Sequence, residues 1–221
     1  MSNQGYPLII DDDLNFRDEL RMQRFDDHRY YHQNRINQSL HLVSAMSFIA
    51  AYVLMFTNLT AAVMMGWLVA MVTRQSGHFF FEPRDYDHIN KASHEHKEDI
   101  KVGYNLQRKR ILHGVWAAIP VVLYFNPSFF GLLTPGAGLD GLFHNLAILW
   151  FWLAITALAA RTIYLIFAEG VQTGLVWATK ILTDPFNDFK TYLKSPVYLL
   201  KGELMDPMPC VNSAQGSASR D

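Results

Sequence analysis

Tyr31-His32-Gln33-Asn34-Arg35-Ile36-Asn37-Gln38-Ser39-Leu40-His41 leads straight into a long apolar run, His41 to Thr57. Asn58 interrupts that run, and a second follows from Leu59 to Val72. Just beyond it the chain reads Gly77-His78-Phe79-Phe80-Phe81-Glu82. Each run is a little short of the roughly 20 residues that cross a bilayer upright. With their flanks they make a tight helical hairpin that turns near Asn58. Gly66 and the alanines at 45, 50, 51, 61, 62 and 70 permit close helix contact. Two polar, histidine-bearing segments then stand at the feet of one hairpin. Up to three imidazoles and a carboxylate meet at one membrane face.

Two further apolar runs follow. Ile111 to Leu133 contains Pro120, a candidate kink, and Asn126-Pro127, a candidate stop. After the turn-rich Thr134-Pro135-Gly136-Ala137-Gly138, Leu142 to Ala168 forms the fourth run. The fold class expected is all-α: a polytopic membrane bundle of about four transmembrane helices with amphipathic interfacial helices. Five segments divide the chain: 1–40, cytosolic with the first histidine motif; 41–73, the hairpin; 74–110, cytosolic and histidine-rich; 111–168, the second transmembrane pair; and 169–221, interfacial helices and a disordered tail. Residues 13–25 suit a solvated helix, and 88–110 a polar surface helix with acids early and Arg108-Lys109-Arg110 late. Beyond Gly170, Pro185 and Pro196 break the interfacial stretch that carries Trp177, Lys180, Phe186 and Tyr192.

Cation placement sets the orientation. Apart from Arg161, every Lys and Arg falls before the first run, in 74–110, or after 168. The connections at Asn58 and over 134–141 carry none, so the positive-inside rule puts both termini and the middle segment in the cytosol. Either a bacterial inner membrane or an endoplasmic reticulum fits. No secretory signal pattern opens the chain, so a cleaved leader is not expected. A formal net charge of −1 gives no reason to expect a nucleic-acid partner. Cys210, the single cysteine, allows no internal disulfide.

His32 and His41 are nine apart, about half a turn out of phase on one helix. Both reach one centre only if the helix starts near Asn37 and His32 approaches from the preceding loop. Asn37 and His41 share a face, as do His28 and His32, and His78 and Glu82. Three imidazoles with an open position suit Fe(II), with Zn as the alternative. His94 and His96 point apart on a helix and would share an ion only from a strand or loop. Together with His28 they are the candidate additional ligands.

Tyr31-His32, Asn37 and His41, then a hairpin, then Gly77-His78 and Phe81-Glu82 resemble the 2-hydroxy fatty acid dioxygenase family of phytosphingosine breakdown. The resemblance covers about residues 28–84. It implies His32, His41 and His78 as ligands of a catalytic Fe(II). Asn37 and Glu82 would be ligands or would orient an imidazole, and Tyr31 would frame the site. The implied reaction uses O₂ to remove C1 from a 2-hydroxy fatty acid, with a membrane lipid or fatty acid as substrate. Two alternatives belong to other classes. One is a non-enzymatic accessory subunit docked in a larger membrane complex. The other is a di-iron hydroxylase or desaturase, although no HxxHH box is present.

Overall fold

In the computed structural model, residues 14–88 and 90–207 are described. Their regular secondary structure is helical, apart from isolated bridges at Asn34–Met205 and Asp87–Ala92. Helix α1 spans Phe16–Tyr31, and the Asn15 side chain caps it by accepting from the Arg17 and Asp18 amides. It starts later than the predicted 13–25 helix and runs further, up to the histidine motif. The chain breaks at His32 (φ −118°, ψ 31°) and restarts as α2, Arg35–Leu54, capped by Asn34. Two side chains hold this break. Asn37 Nδ2 donates to the Tyr31 carbonyl at 2.7 Å, and Gln38 Nε2 to the His32 carbonyl at 2.7 Å. Carbonyls freed by the end of α1 thus find partners on the first turn of α2.

The hairpin turns at Asn58, whose side chain accepts from the Ala61 amide and caps α3, Leu59–Met64. A π-helical stretch, Met65–Met71, joins α3 to α4, Val72–Phe80, in one continuous rod. Wider turns of this kind change the face presented by the residues that follow. Both α4 and the π-helical stretch pack along α2, so the start of α2 lies beside the end of α4.

The segment after α4 departs from the single polar helix predicted over 88–110. It holds a turn closed by the Asp87–Ala92 bridge, a short α5 (His94–Asp99) and a loop, and only then α6, Leu106–Phe125. The physical reason is burial. Lys97 Nζ lies 3.0 Å from Asp87, and the Tyr31 hydroxyl donates to the Lys97 carbonyl at 2.5 Å. A straight, solvated helix would forgo both contacts.

Helix α6 continues through Pro120 and ends at Asn126, as the Asn126-Pro127 step predicts. Helix α7 spans Gly138–Ala168, and Gly170, at φ +109°, turns the chain into α8, Val171–Tyr192. Pro196 opens α9, Ser195–Leu200, but Pro185 sits inside α8 and does not break it. Helices α8 and α9 both pack on α2, which is the central helix of the bundle. An apolar core of Val63, Trp67, Leu123, Leu146, Ala147 and Trp150 joins α3 and the π-helical stretch to α6 and α7. The Trp67 indole donates to the Trp150 carbonyl at 3.0 Å, and the Trp150 indole to that of Trp116 at 3.1 Å.

Helix α8 also corrects a sequence expectation. Trp177, Lys180 and Tyr192 are buried rather than laid on a surface, while Ile181, Leu182 and Phe186 face outward. Among the described residues, α7 is the one helix long and apolar enough to cross a membrane. The disordered tail expected near the C-terminus, with Cys210, lies outside the described residues.

Candidate metal centre

His32, His41 and His78 come from three elements: the α1–α2 break, α2 and α4. One ligand nitrogen from each lies within 4.8 Å of the others. Ring centroids are 4.0 Å apart for His32–His41, 4.9 Å for His41–His78 and 5.2 Å for His32–His78. All three are buried. Burial pushes the His32 and His78 imidazoles well below the usual histidine range. Both are therefore neutral near pH 7 and keep a lone pair for a metal.

Each ring has a different outer partner at Nδ1. His32 Nδ1 lies 2.9 Å from the Tyr192 hydroxyl. His78 Nδ1 lies 2.6 Å from Glu82 Oε2. His41 Nδ1 faces Asp188 Oδ2 at 3.5 Å, long enough to count as an electrostatic contact rather than a full hydrogen bond. With Nδ1 of His32 and His78 engaged, Nε2 is the nitrogen each ring leaves free, the arrangement in which outer partners orient metal-bound histidines. His32 Nε2 and His41 Nε2 are buried and have no hydrogen-bond partner. Buried polar atoms left bare are costly, and a cation between them would remove that cost. The donor set, neutral nitrogens backed by two carboxylates and a tyrosine hydroxyl, fits a divalent first-row metal such as Fe(II) or Zn.

The backing groups belong to a buried ion network that the sequence reading did not find. Arg74 on α4 reaches Asp188 at 2.9 Å and Asp184 at 3.9 Å. Arg24 on α1 reaches Asp184 at 3.2 Å, and Lys180 pairs with Asp184 at 3.3 Å and with Asp27. Burial pushes the Asp188 carboxyl up, but Arg74 and His41 outweigh it and hold it at about 2. A sequence signal for this face exists. Lys180, Asp184, Asp188 and Tyr192 recur every four residues and so form one stripe of α8. The stripe turns inward because the histidines and arginines of α1, α2 and α4 satisfy it.

The remaining predicted residues take distinct places. Glu82 Oε2 contacts His78 Nδ1, and Glu82 stands outside the group of three able to hold a metal. Asn37 Oδ1 is turned against Gly77, away from any donor. Tyr31 pins the segment after α4, and Lys101 Nζ lies over its ring at 3.6 Å. His28 Nδ1 sits 3.2 Å from the Tyr192 hydroxyl, so that hydroxyl can accept from His32 and donate to His28. Among the described residues, the group able to hold a metal contains His32, His41 and His78 but not His28, His94 or His96.

Gly77 explains the glycine of the second motif. A Cβ there would overlap the Asn37 side chain and come within 3.5 Å of the His41 ring. Gly77→Ala is expected to destabilise the fold by about 1–3 kcal/mol, read as a lowered thermal midpoint of the purified protein. Tyr192→Phe keeps the packing and removes one outer partner. Weakening of metal affinity by roughly 10-fold is expected, the low end of the range for such partners, measured by titration of the metal-free protein.

A cleft of about 1250 Å³ opens beside the histidines, with His32, His78, Arg74, Lys101 and Lys109 among its polar lining. Phe48, Val63, Trp67, Leu112 and Phe151 line its apolar part.

No curated protein and no solved structure matches the chain. A family model does match residues 22–87, a stretch that contains His32, His41, His78 and Glu82. Over that stretch the chain is similar to the Mpo1-like family, described as 2-hydroxy-palmitic acid dioxygenase Mpo1-like, the family that its two histidine motifs resemble.

Proposed function

We propose that the protein is a membrane oxygenase that binds Fe(II) through His32, His41 and His78 and shortens a 2-hydroxy fatty acid by one carbon. The observation that carries this is the three-histidine cluster, with ligand nitrogens within 4.8 Å of one another. Its Nδ1 partners and its apolar cleft support the same reading, as does the family match. Ferrous iron held there would supply the one-electron chemistry that O₂ requires. The chain's own residues do the rest. Tyr192, Asp188 and Glu82 hold the imidazoles, and Arg74 keeps Asp188 ionised. The apolar walls exclude water around an acyl chain. Overall, the 2-hydroxy acid and O₂ give the shortened acid, CO₂ and water. The C1–C2 bond breaks, and four electrons pass from the substrate to O₂.

The membrane setting belongs to the same proposal. Phe56, Phe125, Phe130, Leu132 and Leu139 are all strongly exposed at or near the connections that lack cations. Exposed apolar surface on this scale marks a membrane or a partner. The hairpin and α6 would then cross the bilayer with α7, and the histidine end would face the cytosol.

The test uses purified protein reconstituted with Fe(II) in detergent and given 2-hydroxypalmitic acid and O₂. The expected product is the acid one carbon shorter, and palmitic acid without the 2-hydroxyl should be left unchanged. An iron-loaded protein that converts neither would refute the catalytic role and leave the accessory-subunit alternative.

A further inference from the structure

Beyond the family-matched stretch, Lys109 stands out. It lies on the first turns of α6 and lines the cleft that opens onto His32 and His78. Of the charged neighbours acting on the His78 imidazole, Lys109 weighs most. Its ammonium makes no ion pair with any described residue, in contrast to three other cations of the cleft. Arg74 is held by Asp188 and Asp184, Lys101 by Glu98 and Glu82, and Lys180 by Asp27 and Asp184.

The two carboxylates nearest in charge are already engaged. Glu82 takes His78 at 2.6 Å and Lys101 at 3.8 Å. Glu98 takes the Leu106 amide at 2.7 Å and Lys101 at 3.4 Å. A half-buried cation whose neighbouring acids are spoken for is costly unless an anion arrives from outside. Burial and the adjacent Lys101 push its pKa down to about 7 against the smaller upward pull of Glu82 and Glu98, and an arriving anion would restore its charge. Leu112, one turn further along α6, lines the same cleft and leads toward Trp67, Val63 and Phe151.

We infer that Lys109 anchors the carboxylate of a single-chain fatty acid, holding its first carbons beside the three histidines while the tail runs along Leu112, Trp67 and Phe151. This rests on the oxygenase reading and adds to it a residue that sets substrate polarity and direction. A free acid would be favoured over an ester or an alcohol of the same length, because only the acid brings a negative charge to the Lys109 ammonium.

The experiment measures binding rather than turnover. Metal-free full-length protein in detergent is titrated with palmitic acid and, separately, with hexadecanol, and the two dissociation constants are compared. The wild type is expected to prefer the acid by about 10-fold, the scale of one charge-assisted contact. Lys109→Met should abolish that preference while leaving hexadecanol binding unchanged, and Lys109→Arg should keep most of it. Lys109→Gln provides a second neutral variant if Lys109→Met folds poorly, and iron retention by the variants reports an intact histidine cluster. A preference that survives in both neutral variants would overturn the anchor and leave the oxygenase reading standing. Equal wild-type binding of acid and alcohol would also overturn the anchor alone. Wild-type protein that binds neither would overturn both.

Discussion

His32→Ala, His41→Ala and His78→Ala are each expected to lose the metal almost completely. The fall in affinity should exceed the roughly 10–100-fold that follows loss of an outer partner. Each ring supplies one of three nitrogens within 4.8 Å of one another, so two remain after any single change. Elemental analysis of the three variants against the parent checks this. His88→Ala is the control, because His88 is exposed and stands outside the group. The variants should also separate by cause. His32→Ala removes the ring that the Tyr192 hydroxyl holds, and His78→Ala removes the partner of Glu82. Full iron retention in all three would end the metal-centre proposal.

Arg74→Met is expected to cost about 3–5 kcal/mol in folding stability, the usual result of removing one partner from a buried ion pair. Arg74 joins α4 to the inward stripe of α8 through Asp188 at 2.9 Å. Without it, Asp188 keeps His41 and the weaker pull of Lys180, and its buried carboxyl rises toward protonation. Asp184 loses less, since Arg24 and Lys180 still face it. Chemical denaturation of the single variants Arg74→Met and Asp188→Asn and of the double variant checks the assignment. The double variant should be more stable than the sum of the two single losses, because each first change removes the reason for the other. Metal affinity should not recover with it, since His41 still lacks its carboxylate. Recovery of metal binding in the double variant would show that Asp188 does not orient His41.

Much of the site follows from pattern. The turn at Asn58 and the end of α6 at Asn126 follow from residues that cap or stop helices. The convergence of His32 with His41 required a break between them, and Asn34, Asn37 and Gln38 supply it with local hydrogen bonds. Local chemistry of this kind is written within a few residues and needs no distant partner. Partners supplied from far along the chain are harder to read. Tyr192 and Asp188 lie well over a hundred residues from His32 and His41, and the same stripe of α8 suits a bilayer surface or a buried ion network equally well. Likewise, 88–110 has helical composition, yet the contacts of Lys97 with Asp87 and Tyr31 outweigh that propensity and fold the segment over α1.

Spacing and capping residues along the chain were enough to place three imidazoles at the feet of one helical hairpin, because helical periodicity and turn chemistry act over short distances. Which way the polar stripe of α8 faces, what stands behind each imidazole, and which cations of the cleft form ion pairs were settled by packing. Charge satisfaction is a property of neighbours in space, and segments far apart in the chain become neighbours only once the bundle has closed.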